Sequence, residues 1–187
     1  MQLQTERLII DSIKENDKED YYINISHDKK VLETFICQYA ERLEEFDFSP
    51  YLGRKDLFAI RLKSTEHLIG IILFFDKKDS TCEIGYGIGS KYWNCGYTTE
   101  AVKAFLEYLH KEKGIQTVYA SFFTGNYGSQ RVMEKCGMSY SHFSKKRTDL
   151  SWCGEGSHIL CYLSLALTML QNNMLINIIR YFSYILI

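Results

Sequence analysis

The segment that most constrains the fold is the run from Thr81 to Phe123. Thr81 to Ile88 (TCEIGYGI) reads as a strand. GSKYWNCGY follows, and Thr98 to Lys113 reads as a helix with Ala101, Ala104, Phe105, Tyr108 and Leu109 on one face. Gly114 comes next, and glycine commonly sits just past a helix end. Thr117 to Phe123 (TVYASFF) then reads as a second strand. Strand, helix, strand is a βαβ unit, and its crossover forces the two strands to run parallel.

The chain before this unit has a different rhythm. Leu57–Leu62, His67–Phe75 and Thr81–Ile88 are three strands joined by the polar turns Ser64–Glu66 and Asp76–Ser80, which predicts an antiparallel meander. The unbroken run HLIGIILFF suits a strand buried on both faces. Thr5–Asp11 is a further short strand. Asn16–Ile25 and Lys29–Arg42 mix polar and apolar residues at helical spacing, and Phe46–Lys55, which holds the sole proline, Pro50, reads as a loop. After the unit, Asn126 reads as the N-cap of a helix over Tyr127–Cys136 closed by Gly137. Met138–Lys146 and Ser157–Leu165 are the last strands, separated by a loop holding Trp152 and Gly154. The expectation is one α+β domain over residues 1–165, with a mixed, mostly antiparallel sheet flanked by helices.

Residues 166–187 form an apolar C-terminal extension, expected to be helical and packed on the domain or on a partner subunit in a homodimer. Gln171, Asn172, Asn173, Asn177 and Arg180 interrupt it, which disfavours a membrane span. The 187 residues are 46% hydrophobic and 24% charged, enough for a real core. A net charge of -1 without a basic stripe disfavours nucleic-acid binding. Cys37, Cys82, Cys95, Cys136, Cys153 and Cys161 form no CxxC pair and no zinc-ligand spacing, so no metal site is expected. MQLQTERLII is too short and too polar for a signal peptide, and scattered reduced thiols point to the cytoplasm.

The turn SKYWNCGYTTEA joins the first strand of the unit to its helix. A helix N-terminus presents unpaired N–H groups and partial positive charge, a natural seat for phosphate. Gly96 permits close backbone approach, and Thr98 and Thr99 offer hydroxyls. A capped helix start with no ligand accounts equally for the same residues. No GxxxxGK[ST] run exists, and GYGIGS lacks the third glycine of a dinucleotide fingerprint. Gly85, Gly87 and Gly89 alternate, leaving one face of the strand end without side chains. Such glycines mark a bulge or a ligand's close approach. Bare strand and helix start together could seat an extended amide chain and a pyrophosphate, the shape of coenzyme A.

The run EIGYGIGSKYWNCGYTTEAVKAFLEYL resembles the acetyl-CoA-binding segment of the GNAT superfamily of N-acetyltransferases. It is most similar to the Rim-like branch, which acetylates ribosomal-protein N-termini and includes small-molecule acetyltransferases; there the loop reads YWGKGYATEA. TERLII, HLIGIILF and NYGSQRVMEKCGM agree, so the resemblance spans Gln4 to Leu165. It implies a coenzyme slot between splayed central parallel strands, Glu83–Ile88 and Thr117–Phe123. Pantetheine would pair with backbone near Ile88. The pyrophosphate would take N–H groups of Cys95, Gly96, Tyr97, Thr98 and Thr99, and Asn126 would touch the coenzyme arm. Asn94, Cys95 and Thr98 depart from the family's glycine, lysine and alanine, but backbone donors do not depend on side chains.

Acetyl transfer to an amine needs a base, an oxyanion donor and a proton for the leaving thiolate. Glu83 is the candidate base, although a carboxylate paired with solvent or lysine would look the same. The family's tyrosine donor falls at Met133, so Ser129 is the candidate donor, against the plainer reading of a helix-surface serine. Tyr86 and Tyr97 are alternatives, and the N–H of Ile88 or Gly89 is placed to polarise the carbonyl. Glu100 reads as a dipole partner, Trp93 as a packing anchor and His158 as a satisfied strand histidine. The resemblance implies an acetyl-CoA-dependent N-acetyltransferase with a primary-amine acceptor. The alternative is a non-catalytic acyl-CoA-binding or protein-interaction module on the same fold.

Overall fold

The structure, a computed structural model, describes residues 1–146 and 158–167. The expected loop with Trp152 and Gly154, and the extension beyond Leu167, lie outside the described residues. Among the described residues, eight strands form one sheet in the order β1-β2-β3-β4-β5-β6-β8-β7. They are β1 Gln2–Gln4, β2 Leu8–Ser12, β3 Leu57–Leu62, β4 Leu68–Lys78, β5 Thr81–Ile88, β6 Thr117–Phe123, β7 Ser139–Lys146 and β8 His158–Ala166. The α-helices of the described residues flank it: α1 Lys18–Tyr21, running on through a wider turn at Tyr22–Ser26, α2 Lys29–Leu32, α3 Tyr97–Lys113 and α4 Tyr127–Lys135. The β3-β4-β5 meander is antiparallel, and β5 pairs with β6 in parallel, as the βαβ unit requires.

Two cores sit on opposite faces of the sheet. Beneath α3, Ala101, Val102, Phe105 and Leu109 pack fully buried against Ile60, Ile72, Ile84 and Val118. On the other face, Tyr21, Ile25 and Phe46 pack on Leu57, Ala59 and Ile71. Leu68 to Ile72 of β4 are buried while both faces of the sheet are covered, as the HLIGIILFF run predicts. Arg61 anchors the start of α1: its guanidinium, buried, meets Asp11 at 2.7 Å and Asp17 at 2.5 Å.

Several elements differ from the sequence expectation. The strand expected over Thr5–Asp11 begins only at Leu8, as β2, because Thr5 closes the hairpin turn from β1: its hydroxyl accepts the Leu8 N–H at 3.0 Å and its own N–H reaches the Leu8 carbonyl at 3.0 Å. The strand beginning at Leu68 continues to Lys78 through a register shift after Phe75, with Asp76 at φ 50°, so the turn shrinks to Asp79 and Ser80. The helical spacing of Lys29–Arg42 persists only to Leu32. Asp28 explains where that turn is pinned. Its Oδ1 accepts the Lys30 N–H at 3.1 Å, and its Oδ2 accepts the Ser90 N–H at 2.7 Å, tying α2 to the end of β5.

Candidate active site

The parallel pairing of β5 and β6 covers only Thr81–Ile84 against Thr117–Ala120. Beyond Ile84 and Ala120 the strands part, as the splay expected for Glu83–Ile88 and Thr117–Phe123 requires. The phase of the β4–β5 ladder sets what faces the gap. Gly89 N–H donates to the Ile69 carbonyl at 2.9 Å. Antiparallel ladders alternate, so the backbone groups of Gly85 and Gly87 also turn to β4. Those of Tyr86 and Ile88 turn to the gap. The Gly89 N–H is thus committed within the sheet, which leaves Ile88 as the oxyanion-donor candidate of the two. The Ile88 carbonyl accepts the Trp93 indole N–H at 2.9 Å, so Trp93 anchors the loop by a hydrogen bond while its ring stays 40% exposed.

The glycine face of β5 is not bare. A side-chain carbon at Gly87 would lie 3.3 Å from the Phe35 ring, one at Gly85 3.1 Å from Leu73, and one at Gly89 3.1 Å from Asn24. The glycines make room for these neighbours, and the route open to an extended ligand is the strand's edge rather than its face. A cavity of about 980 Å³ runs along this edge, lined by Glu83, Tyr86, Ile88, Cys95, Gly96, Thr98, Thr99, Asn126 and Ser129. All the candidate site residues proposed from the sequence line it except Gly89 and Tyr97.

The loop leading into α3 is built by two left-handed residues, Asn94 at φ 61° and Gly96 at φ 80°. Asparagine is the side chain that tolerates this region best, so the departure from glycine at Asn94 keeps the backbone path. Gly96 is the N-cap residue of α3 and has no capping side chain. The first-turn N–H groups of Tyr97, Thr98 and Thr99 therefore carry the helix's positive end beside the cavity. Cys95 Sγ turns to the Trp93 carbonyl at 3.4 Å.

The TERLII stretch supplies a part that sequence reasoning missed. Glu100 accepts hydrogen bonds from the Thr5 hydroxyl at 2.5 Å, the Arg7 N–H at 2.8 Å and Arg7 Nε at 2.7 Å. Arg7 Nη1 also donates to the Cys95 carbonyl at 3.0 Å, and its guanidinium lies 4.4 Å from the Tyr97 ring centre. Burial pushes the Glu100 carboxyl up, but the Thr5 and Arg7 hydrogen bonds outweigh it and hold it below the usual carboxylate range. Glu100 thus does more than complement a dipole. Only Thr5, Arg7 and Glu100 read together would have signalled this clamp.

Two hydroxyls meet where the gap opens toward α4. Tyr86 Oη lies 3.0 Å from Ser129 Oγ, and the Ser129 N–H donates to Asn126 Oδ1 at 3.1 Å. Asn126 is the helix cap expected, and it orients the turn carrying Ser129. Burial pushes the Tyr86 phenol well up, so it stays protonated. Met133 is fully buried in the core. Across the sheet, Glu83 accepts from Ser121 Oγ at 2.7 Å, opposite the apolar Phe75. Tyr162, paired with Ser121 across β6 and β8, is raised by burial and by the Glu83 charge, and stacks on His142 with ring centres 4.6 Å apart. Among the described residues there is no cluster suited to a metal ion and no helix long and apolar enough to cross a membrane.

The chain is similar to known proteins. YnaD, an uncharacterized N-acetyltransferase of Bacillus subtilis, is 39% identical over 90 residues, 48% of this chain and 53% of that protein. The chain thus spans about half the length of that curated relative. A GNAT-family acetyltransferase structure from Bacillus anthracis is 28% identical with a TM-score of 0.76, covering 90% of this chain and 99% of that one. RimL, a ribosomal alpha-N-protein acetyltransferase in complex with coenzyme A, shares the fold at 12% identity and a TM-score of 0.75, covering 89% and 98%. Residues 7–139 match the family described as the acetyltransferase (GNAT) domain. With its meander, parted parallel strands and helix-start loop inside that match, the chain belongs to the GNAT acetyltransferase family.

Proposed function

We propose that the chain moves an acetyl group from acetyl-CoA to a primary amine by direct attack, without a covalent enzyme intermediate, as a Rim-like member of its family. One observation carries this reading: the edge of β5 that turns Tyr86 and Ile88 into the gap leads onto the N-terminus of α3. Extended amide and pyrophosphate need those two surfaces in that order. The loop YWNCGYTTEA and the likeness to RimL support the Rim-like placement.

Acetyl-CoA, when bound, supplies the thioester. Ile88 N–H polarises the acetyl carbonyl, while the pantetheine arm borders the neighbouring edge of β5. Cys95, Gly96, Tyr97, Thr98 and Thr99 offer N–H groups to the pyrophosphate, and Asn126 borders the arm. Glu83 takes one proton from the ammonium, freeing the nitrogen lone pair. As the C–N bond forms and the C–S bond breaks, Ser129 gives its proton to the sulfur and regains one from Tyr86, which is reprotonated from solvent as Glu83 releases the proton it took. The remaining proton on nitrogen leaves to solvent, so one proton is released per turnover.

Thermal unfolding with acetyl-CoA, with adenosine diphosphate as control, is the first test. Ligand binding the folded state alone stabilises by about 2.7 kcal/mol at a hundredfold excess over Kd. A rise with acetyl-CoA above the control, followed by acetylation of an amine panel, supports the enzyme. Buried Met133 in place of a tyrosine donor favours a second reading, a non-catalytic acyl-CoA-binding module. Coenzyme binding without turnover of any amine would select it.

A further inference from the structure

The cavity has a second half, on the α2 side of the sheet, with a chemistry of its own. Its walls are Phe35 and Ile36 after α2, Leu73 and Phe75 of β4, and Tyr162 of β8. The floor is made apolar by omission. Gly87 lies under the Phe35 ring, and Gly85 lies under Leu73, each too close to admit a side chain without displacement. Glu83 is the carboxylate on this stretch of β5, directly across from Phe75 and fixed by Ser121. At the exposed rim stand Lys30 and Glu33, of opposite sign.

We propose that the acceptor is a monoamine carried on an aromatic or branched aliphatic body, in preference to a polyamine or a hydrophilic peptide N-terminus. The inference rests on the acetyl-transfer reading above. One inward carboxylate matches one ammonium. A second ammonium laid against Phe35, Leu73 and Phe75 would exchange water for aromatic and aliphatic faces with no carboxylate among them, a net cost. Lys30 and Glu33 offset each other, so the rim does not concentrate polycations, and the net charge of -1 adds little steering. An apolar body of about phenyl size gains contact with Phe35 and Phe75, the surface that a hydrophilic peptide leaves unused.

The test uses the full chain with acetyl-CoA and a matched amine series: butylamine, isoamylamine, phenethylamine, spermidine and a Ser-Ala dipeptide. Stabilisation by acetyl-CoA alone is measured in parallel. The expected result is a kcat/KM for phenethylamine about tenfold or more above butylamine, with spermidine and the dipeptide below butylamine. Phe35→Ala is expected to bring phenethylamine down to the butylamine level and to leave the acetyl-CoA stabilisation in place. Spermidine or the dipeptide outranking phenethylamine overturns the inference while the enzyme reading stands. So does an unchanged ranking in Phe35→Ala. Stabilisation by acetyl-CoA with no amine acetylated overturns the inference and favours the binding module. No stabilisation by acetyl-CoA and no turnover overturns both readings together.

Discussion

Arg7 and Glu100 are separated by 93 residues along the chain, yet Arg7 Nε lies 2.7 Å from Glu100 Oε2. Through the same guanidinium, Arg7 holds the Cys95 carbonyl and covers Tyr97. It grips the loop on both sides of Gly96. Arg7→Met keeps the stem and loses every hydrogen bond the guanidinium makes. It is expected to weaken acetyl-CoA binding about tenfold, or ~1.4 kcal/mol, with little loss of Tm because the side chain is 42% exposed. Calorimetric titration reads this directly. An unchanged Kd with a large fall in Tm would assign the clamp to the fold alone.

Glu100 makes the clamp pH-dependent. Its carboxyl is held below the usual range in the folded state. The stabilisation it provides is therefore full above the unfolded value, near about 4.3, and is lost as pH falls through the lower folded value. Wild type and Glu100→Gln should differ in Tm at pH 7 and converge as pH falls through the lowered folded value. A gap that is constant across this range would contradict the assignment.

Ser129 and Tyr86 are expected to act as one relay. Ser129→Ala should lower kcat about a hundredfold while the KM for acetyl-CoA changes little, since the Asn126 cap uses the Ser129 backbone. Tyr86→Phe should cost less. The double variant should be no slower than Ser129→Ala, because Tyr86 acts through Ser129. An unchanged kcat in Ser129→Ala would remove the serine from the mechanism.

Gly96 and Asn94 should respond in opposite directions. Gly96→Val places a β-branched residue at φ 80° with its Cβ 3.4 Å from Arg7, at a strain of about 1–2 kcal/mol. Acetyl-CoA should no longer stabilise a chain that still folds. Asn94→Gly relieves φ 61° and should raise Tm slightly with Kd unchanged. Equal coenzyme stabilisation in wild type and Gly96→Val would show that the phosphates seat elsewhere.

Much of this was legible because local pattern and topology agree. The βαβ unit, the meander and the Asn126 cap follow from spacing and turn chemistry, and the loop resemblance pointed to the β5–β6 gap. Other features were not legible from single segments. The insertion of β8 between β6 and β7 depends on pairing that periodicity does not encode. The role of Thr5 and Arg7 lay hidden because it exists only against Glu100, far along the chain. The alternating glycines were read as a bare face, yet their function is set by Phe35, Leu73 and Asn24, brought over them from other elements. The one-turn α2 likewise depends on Asp28 meeting Ser90.

The parting of β5 from β6 has a mechanical consequence. The sheet is two leaves, β1 to β5 and β6-β8-β7, stitched by four residue pairs at one end. α3 is the covalent strut between them. A pantetheine arm laid along β5 would serve as a temporary ninth strand, lacing the leaves where the chain's own backbone does not. The rigidity of the smaller leaf, which carries α4 and Ser129, would then vary with coenzyme occupancy.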